Sequence, residues 1–408
     1  MVVVIADDLT GAAEMAGIAW KHGMHVNFTL FDSPQSPFHD AQNLLTMPEP
    51  ADQQVLVVAT DTRSGTVSEA RATIKSIMNH FAPTQHTHIL FFKKTDSALR
   101  GHILAEVSTM MECLNAKKTL LIAQNPSKQR VVHDGIYYIN GTPLSETSFC
   151  FDPEFPAETS VAEHIIMHAD FNPPCPCLSL AVDRQMESSG VFIADAISET
   201  EIQQQIAKAD SHTLLAGAAD TFTLFLKSYT SGNSSDHKQA EVQYKQAQQQ
   251  NAEMPSTIIV CGSTQSKPLH LGIPTAQMPD DIFHGLLPAE RWFPSIDTTY
   301  SQSKSVILTI GRKAEGGKAY AVRLRETMAK AVAHLVANHH PHQLVVEGGA
   351  TAFAILHALG WCHFEIENEN APGVVTLRYH HPANDVLITL KPGSYPWGNL
   401  PLLLQRQS

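Results

Sequence analysis

Chemically capable side chains recur in short runs, each placed directly after an apolar stretch. Asp7-Asp8-Leu9-Thr10-Gly11 follows the first stretch and Asp61-Thr62-Arg63-Ser64 the second. Lys93-Lys94-Thr95-Asp96-Ser97, with Arg100 close behind, follows the third, and Gln124-Asn125-Pro126 the fourth. A hydroxy acid requires such a set: Lys and Arg for its carboxylate, carboxylates and amides for its hydroxyls. Taken singly, Asp7-Asp8 also suits a turn and helix N-cap, and Lys93-Lys94 a solvated loop. The collection at successive strand ends points to a ligand, because open α/β sheets gather ligands there.

The second half carries glycines at the same kind of position. Cys261-Gly262-Ser263, Glu347-Gly348-Gly349-Ala350-Thr351-Ala352 and Lys391-Pro392-Gly393-Ser394 each follow an apolar run. Glycine lets the backbone approach a ligand, and a helix N-terminus offers free N–H groups to phosphate. Three such turns suggest a nucleotide phosphate site, although ordinary strand-to-helix turns also favour glycine. The run from Gly311 to Gly316-Gly317-Lys318-Ala319 is not a Walker A loop. An extra glycine separates the second Gly from Lys, and Ala319 has no hydroxyl for magnesium. No H-E-x-x-H, G-x-S-x-G or G-x-G-x-x-G motif occurs.

These residues need a scaffold that brings strand ends together. Unalternating apolar runs at 2–6, 55–60, 88–92, 119–123, 191–194 and 213–216 are interleaved with helical patterns, notably 10–21 and about 99–114. Capping boxes stand at Thr66/Glu69 and Ser198/Glu201. This pattern predicts a parallel sheet covered on both faces. Residues 229–256 are rich in Gln, Ser, Asn and Lys, with an exposed helix expected at 239–250. Strand-like runs then restart at 257–261, 305–310, 343–346, 374–377 and 385–390, with helices at 317–338 and 350–359. The expected architecture is two α/β domains with mainly parallel sheets, residues 1–228 and 257–408, joined by a polar linker at 229–256. Ligand sites are expected at the strand carboxyl ends and in the interdomain cleft. Irregular stretches at 32–53 and 140–159 are long enough to be functional loops.

Composition bounds the partners. Among 408 residues, 28 Lys and Arg against 40 Asp and Glu give a net charge of −12. That field disfavours nucleic acid and anionic membranes. No run approaches the roughly 18 apolar residues of a spanning helix, and no signal-peptide pattern is present. The six cysteines are scattered, and Cys175-Pro176-Cys177 suits neither a zinc finger nor a thioredoxin-type pair. A cytoplasmic protein is the economical expectation. The histidines clustered at 339–342 and 380–381 read as solvated surface.

Ile5-Ala6-Asp7-Asp8-Leu9-Thr10-Gly11-Ala12 resembles the N-terminal signature of the four-carbon acid sugar kinases, which include 3-oxo-tetronate, D-threonate and D-erythronate kinases. Asp61-Thr62-Arg63-Ser64 is similar to the family's second-strand motif. Lys93-Lys94-Thr95-Asp96-Ser97-Ala98-Leu99-Arg100-Gly101 is similar to its Lys-Lys-x-Asp-Ser-x-Leu-Arg-Gly segment. Asn125-Pro126, the stretch from Asp134-Gly135 to Pro143-Leu144, and Asp152-Pro153 follow in the family's order. Gly262-Ser263, Gly348-Gly349-x-Thr351-Ala352 and Lys391-Pro392-Gly393 resemble its three glycine turns. The likeness spans both halves.

The resemblance implies a kinase that uses ATP and Mg²⁺ to make a four-carbon acid sugar 4-phosphate. The first domain would hold the sugar acid and the second ATP, closing over the substrate. It implies Asp7, Asp8 or Asp96 as base or hydroxyl positioner, and Arg63, Lys93, Lys94, Arg100 and Asn125 as substrate contacts. It implies Ser263, Gly348, Gly349, Ala350, Thr351, Lys391 and Gly393 as nucleotide contacts. No metal ligand is assigned, and a homodimer is open. Ala350 departs from the Asp or Glu common in the family at that place. Two other readings stand beside this one: a phosphatase with Asp7 or Asp8 as nucleophile, and a catalytically silent sugar-acid-binding protein.

Overall fold

Strands buried on both faces need no polar alternation, and the apolar runs of this chain form strands of that kind. The computed structural model describes residues 1–31, 54–81, 89–152, 155–167, 171–230, 255–262, 271–312 and 317–393. The loop expected at 32–53, the helix expected at 239–250 and Ser263 lie outside the described residues. The chain divides into two units, Met1–Gly232 and Asn233–Ser408.

The first unit contains β1 (Val2–Ala6), β2 (His25–Leu30), β3 (Gln54–Ala59), β4 (Leu90–Lys94) and β5 (Lys118–Ile122). A small antiparallel sheet follows, made of β6 (Arg130–His133), β7 (Ile136–Ile139) and β8 (Thr142–Pro143). Then come β9 (Cys177–Leu180), β10 (Gly190–Ala194) and β11 (Thr213–Gly217). The main sheet has the order β2-β3-β1-β4-β11-β5-β10-β9, with parallel neighbours throughout. Helices Val67–Asn79 and Ile103–Leu114 cover one face, where Ile74, Ile77, Val107 and Met110 join Val3, Ile5, Leu56 and Val58 in one core. On the other face Phe222 of helix Ala219–Thr230 meets Phe92 of β4 at 4.9 Å between ring centroids. Helix Leu9–Lys21 packs beside it.

Local signals account for several boundaries. Thr66 Oγ accepts from Glu69 N at 3.2 Å while the Glu69 carboxylate accepts from Thr66 N at 2.8 Å, the expected capping box. At Ser198 only half of the box forms, since Glu201 accepts from Ile197 N instead. The small sheet rests on two tight turns. Asp134-Gly135 and Asn140-Gly141 have φ values of 48°, 72°, 51° and 77°, the left-handed pairs that two-residue hairpins require. The stretch expected to be irregular from residue 140 therefore begins in a hairpin.

Strand order creates a crevice. The chain passes from β1 outward to β2 and β3, then crosses to the other side of β1 to form β4. Between β1 and β4 the connections leave in opposite directions, which opens the sheet at its carboxyl edge.

The second unit contains β12 (Thr257–Cys261), β13 (Thr275–Gln277), β14 (Ser305–Thr309), β15 (Gln343–Glu347), β16 (His363–Ala371), β17 (Val374–His380) and β18 (Asp385–Lys391). Its order is β13-β14-β12-β15-β18-β17-β16, parallel as far as β18 and antiparallel beyond. Here the crossing falls between β12 and β15. Helices Phe293–Ser303, Lys318–His339 and Gly349–Leu359 accompany the sheet. No helix among the described residues is long and apolar enough to cross a membrane.

Candidate functional site

The carboxyl ends of β1, β3 and β4 converge on Arg63. Its Nε donates to Asp7 Oδ2 at 2.8 Å and its Nη2 to Asp8 Oδ1 at 3.0 Å, with Asp96 Oδ1 3.7 Å from Nη2. Arg100 grips Asp96 from the other side with Nε at 2.8 Å and Nη2 at 3.0 Å, a two-pronged pair. Its Nη1 reaches Asp152 Oδ2 at 3.0 Å. Backbone N–H groups of Ala98 and Arg100 also donate to Asp96, at 3.1 and 3.3 Å.

Adjacent aspartates take different jobs. Asp8 is the N-cap of helix Leu9–Lys21, accepting from Gly11 N at 3.0 Å and Thr10 Oγ at 2.6 Å. Its side chain is 17% exposed, whereas that of Asp7 is 1% exposed. Asp7 Oδ1 is buried without a hydrogen-bond partner. Gly101 makes this packing possible: φ is +94°, and a Cβ there would sit 3.3 Å from Arg63 Cγ and 3.4 Å from Asp7 Oδ2.

The two lysines separate. β4 extends to Lys94, two residues past the expected end, so both lysines are strand residues. Strand alternation sends neighbours to opposite faces. Lys93, in register with Ile5, points into the core under helix Ile103–Leu114 and lies 2.9 Å from Glu106 Oε2. It is 0% exposed and does not reach the rim where a substrate contact was expected. Lys94 points the other way, toward Gly11, and donates to Thr95 O at 2.7 Å.

The electrostatics keep Asp8 and Asp96 ionised. Burial opposes the charge of Asp8, but Arg63, Lys94 and the Thr10 hydroxyl outweigh it and hold the carboxyl below its ordinary value. Burial likewise opposes Asp96, yet Arg100 and Arg63 hold it well below that value. Asp96 in turn raises Arg100, and the aspartates together raise Arg63 against its burial.

Asn125 is buried at the end of β5 and accepts from Asp220 N at 3.0 Å. It braces the turn rather than joining the Arg63 cluster, since the Asp220 carboxylate closes the same turn on Ser127 N at 2.9 Å. Residues outside the expected set support the cluster. The Tyr137 hydroxyl donates to Ser97 O, and Arg130 donates to the Ser97 hydroxyl. Both come from the small sheet, whose Asp-Gly and Asn-Gly turns were its signal in the sequence.

In the second unit Cys261, Glu347 and Lys391 are register partners at the ends of β12, β15 and β18. Lys391 Nζ sits 2.5 Å from Glu347 Oε1, both nearly buried, and 3.4 Å from Gly393 O. Burial, then Glu347, pushes the Cys261 thiol up to about 12, so it stays neutral. Gly348 has φ +97° and opens helix Gly349–Leu359. Gly348, Gly349 and Ala350 are partly exposed at that N-terminus. Thr351 packs against Gly262, where a Cβ would come 2.3 Å from Thr351 Oγ. Gly262 and the start of helix Gly349–Leu359 thus lie together at the crossing point of this sheet, and the Gly348 N–H ties that start to Lys391 O at 2.9 Å.

A family model of a sugar-binding N-terminal domain matches residues 2–223, and one of a nucleotide-binding C-terminal domain matches residues 289–395. The chain belongs to the four-carbon acid sugar kinase family. It is similar to a D-threonate kinase of Salmonella typhimurium, 29% identical over 231 residues, covering 53% of this chain and 51% of that one. A D-erythronate kinase of Heliobacterium modesticaldum is 26% identical over 166 residues, covering 40% and 35%. The chain spans about a third to a half of the length of the curated relatives it matches. Among solved structures, a protein of Salmonella typhimurium LT2 has a TM-score of 0.69 at 15% identity, covering 100% of this chain and 98% of that one. A Haemophilus influenzae protein has a TM-score of 0.62 at 17% identity, covering 97% of each chain. At such identities the likeness is one of fold.

Proposed function

We propose that the protein is an ATP-dependent kinase that phosphorylates a four-carbon sugar acid of the threonate, erythronate or 3-oxo-tetronate type to its 4-phosphate. The observation that carries this reading is the Arg63 cluster, which places three aspartates and two arginines at the crossing point of a sheet that matches a sugar-binding family. Aspartates accept from hydroxyls and guanidinium groups hold carboxylates, so the cluster suits a polyhydroxy acid.

Phosphoryl transfer asks mainly for alignment and charge neutralisation. Asp8 is ionised and partly open, so it would align the terminal hydroxyl with the γ-phosphate and take its proton late. Asp7 is shut off from solvent and acts through Arg63 as a positioning residue. Lys94, Arg63 and Arg100 would balance the substrate's charge. The N–H groups of Gly349, Ala350 and Thr351 in the first turn of the helix would cradle phosphate oxygens, the Gly348 N–H being taken by Lys391 O at 2.9 Å. Among the described residues no group of three His, Cys, Asp or Glu could hold a metal ion by itself. Magnesium would therefore be held mostly by ATP and water, with one or two protein oxygens. A phosphatase reading fits less well. A nucleophilic aspartate needs an oxygen both free and open, whereas Asp7 Oδ1 is free but buried and the open Asp8 is held by Arg63, Gly11 and Thr10.

The test is ADP release over a panel of threonates, erythronates and 3-oxo-tetronates. At least one acid should release ADP in step with its own phosphorylation. ADP release with none of them would overturn the kinase reading.

A further inference from the structure

We propose that Arg130 binds the carboxylate of the sugar acid, with the Ser97 hydroxyl as a second donor, and so selects acids over neutral polyols. The inference rests on the sugar-acid reading above and names the residue that recognises the acid group.

Arg130 differs from the two guanidinium groups of the cluster. Arg63 is taken by Asp7 and Asp8, and Arg100 by Asp96 and Asp152. No carboxylate among the described residues pairs with Arg130. Its Nη1 donates to the Ser97 hydroxyl, and its other N–H groups have no hydrogen-bond partner among the described residues. Ser97 Oγ accepts there, so its own O–H remains to be donated. Both residues are partly exposed. An anion that meets them displaces no ion pair of the protein.

The guanidinium is also held in place from several sides. Arg130 N donates to Asn125 O at 3.0 Å and Asn125 N to Arg130 O at 2.9 Å, which fixes the backbone at the start of β6. Asn125 is itself buried and bound to Asp220 N. The guanidinium carbon of Arg130 lies 5.7 Å from the Phe149 ring centre, and that of Arg100 lies 5.3 Å from the same ring. Burial pushes the Tyr137 hydroxyl up, Arg130 opposes that shift and Asp96 adds to it, so both charges lie near one hydroxyl. Arg130 therefore stands beside the Arg63 cluster without being paired in it, and little ordering is left for a ligand to impose.

Charge gives the selection its sign. The four carboxylates of Asp7, Asp8, Asp96 and Asp152 face the three cations of Arg63, Lys94 and Arg100. One more carboxylate would enter that group against an excess of negative charge. Arg130 makes the count even and offers the incoming acid a charge-assisted pair. A polyol without a carboxylate gains nothing from it, so loss of Arg130 weakens acids and spares polyols.

The experiment is calorimetric titration of threonate, erythronate, a 3-oxo-tetronate and neutral erythritol into wild type, Arg130→Met, Arg130→Lys and Tyr137→Phe. The acid that wild type binds most tightly should bind Arg130→Met about 10- to 100-fold more weakly, the range of a hydrogen bond to a charged group. Arg130→Lys keeps the charge without the fork and should fall in between. Tyr137→Phe frees the same turn at Ser97 O but keeps the guanidinium, and should bind the acid nearly as wild type does. Erythritol should behave alike with wild type and Arg130→Met. Equal acid affinity in wild type and Arg130→Met would overturn the inference. So would equal losses in Arg130→Met and Tyr137→Phe, which mark a hold on the turn rather than a contact with the acid, or a parallel loss of erythritol. If the expected losses appear but wild type releases no ADP, the kinase reading fails and Arg130 stands. If wild type releases ADP and Arg130→Met binds the acid unchanged, the inference fails alone. Binding of none of the acids by wild type would overturn both.

Discussion

At the scale of single residues, the cluster separates side chains that are adjacent in the chain. Asp7 and Asp8 differ in exposure and in partners, and only Asp8 can meet a ligand without a rearrangement of the core. Because Asn caps helices about as well as Asp, Asp8→Asn removes charge while keeping the cap. Its thermal midpoint should fall modestly, because the Arg63 pair is lost, while kcat falls by about 100-fold or more, read by ADP release. An unchanged kcat would remove Asp8 from the chemistry. Lys93 and Lys94 diverge for a simpler reason, the two-residue period of a strand. Lys93 ends in a buried pair with Glu106, whose length of 2.9 Å is that of an ion pair although its alignment is too poor for a hydrogen bond.

At the scale of elements, each site is held by strand ends that face one another. In the second unit the Glu347–Lys391 pair ties β15 to β18 just where two glycine turns begin. Breaking a buried pair leaves one charge without its partner. Lys391→Met should therefore destabilise the second unit by about 3–5 kcal/mol, and Glu347→Leu/Lys391→Met should recover most of it. Chemical denaturation of the single and double variants measures this. Equal losses in the two would mean that the pair is not what joins the strands. In the first unit the small antiparallel sheet does a comparable job, since Tyr137 and Arg130 hold Ser97 and with it the turn that carries Asp96 and Arg100.

For the molecule as a whole, the net charge of −12 hides a local arrangement in which cations and aspartates are interleaved. Asp8 and Asp96 have folded-state values below their ordinary ones. Groups of that kind bind protons more readily when unfolded, so the stability they contribute is full above the unfolded value and disappears as pH falls through the folded one. Thermal stability should be nearly flat down to about pH 5 and then drop below about pH 4. Asp96→Asn should start lower at neutral pH and lose less on acidification. An identical acid slope in the variant would count against Asp96 as a source of that dependence.

Much of the scaffold was legible in the residues themselves. Unalternating apolar runs placed most of the strands, Thr66 and Glu69 marked a helix start, and polar residues after the runs marked the carboxyl edges. These are local properties, set by neighbours within a few positions. Other features depended on the packed fold. When every position of a strand is apolar, the sequence carries no mark of which face each residue takes, so Lys93 and Lys94 could not be told apart. Helix Ala219–Thr230 and β16, the polar outer strand of the second unit, had weaker periodic signals and were not expected. The hairpin turn at Asn140-Gly141 was present in the sequence but fell in a stretch expected to be irregular. Arg63 as the centre of the site, the closed Asp7 beside the open Asp8, and Asp152 on Arg100 all join segments distant in the chain. Only the order of the strands brings those segments together, and strand order is a property of the tertiary structure.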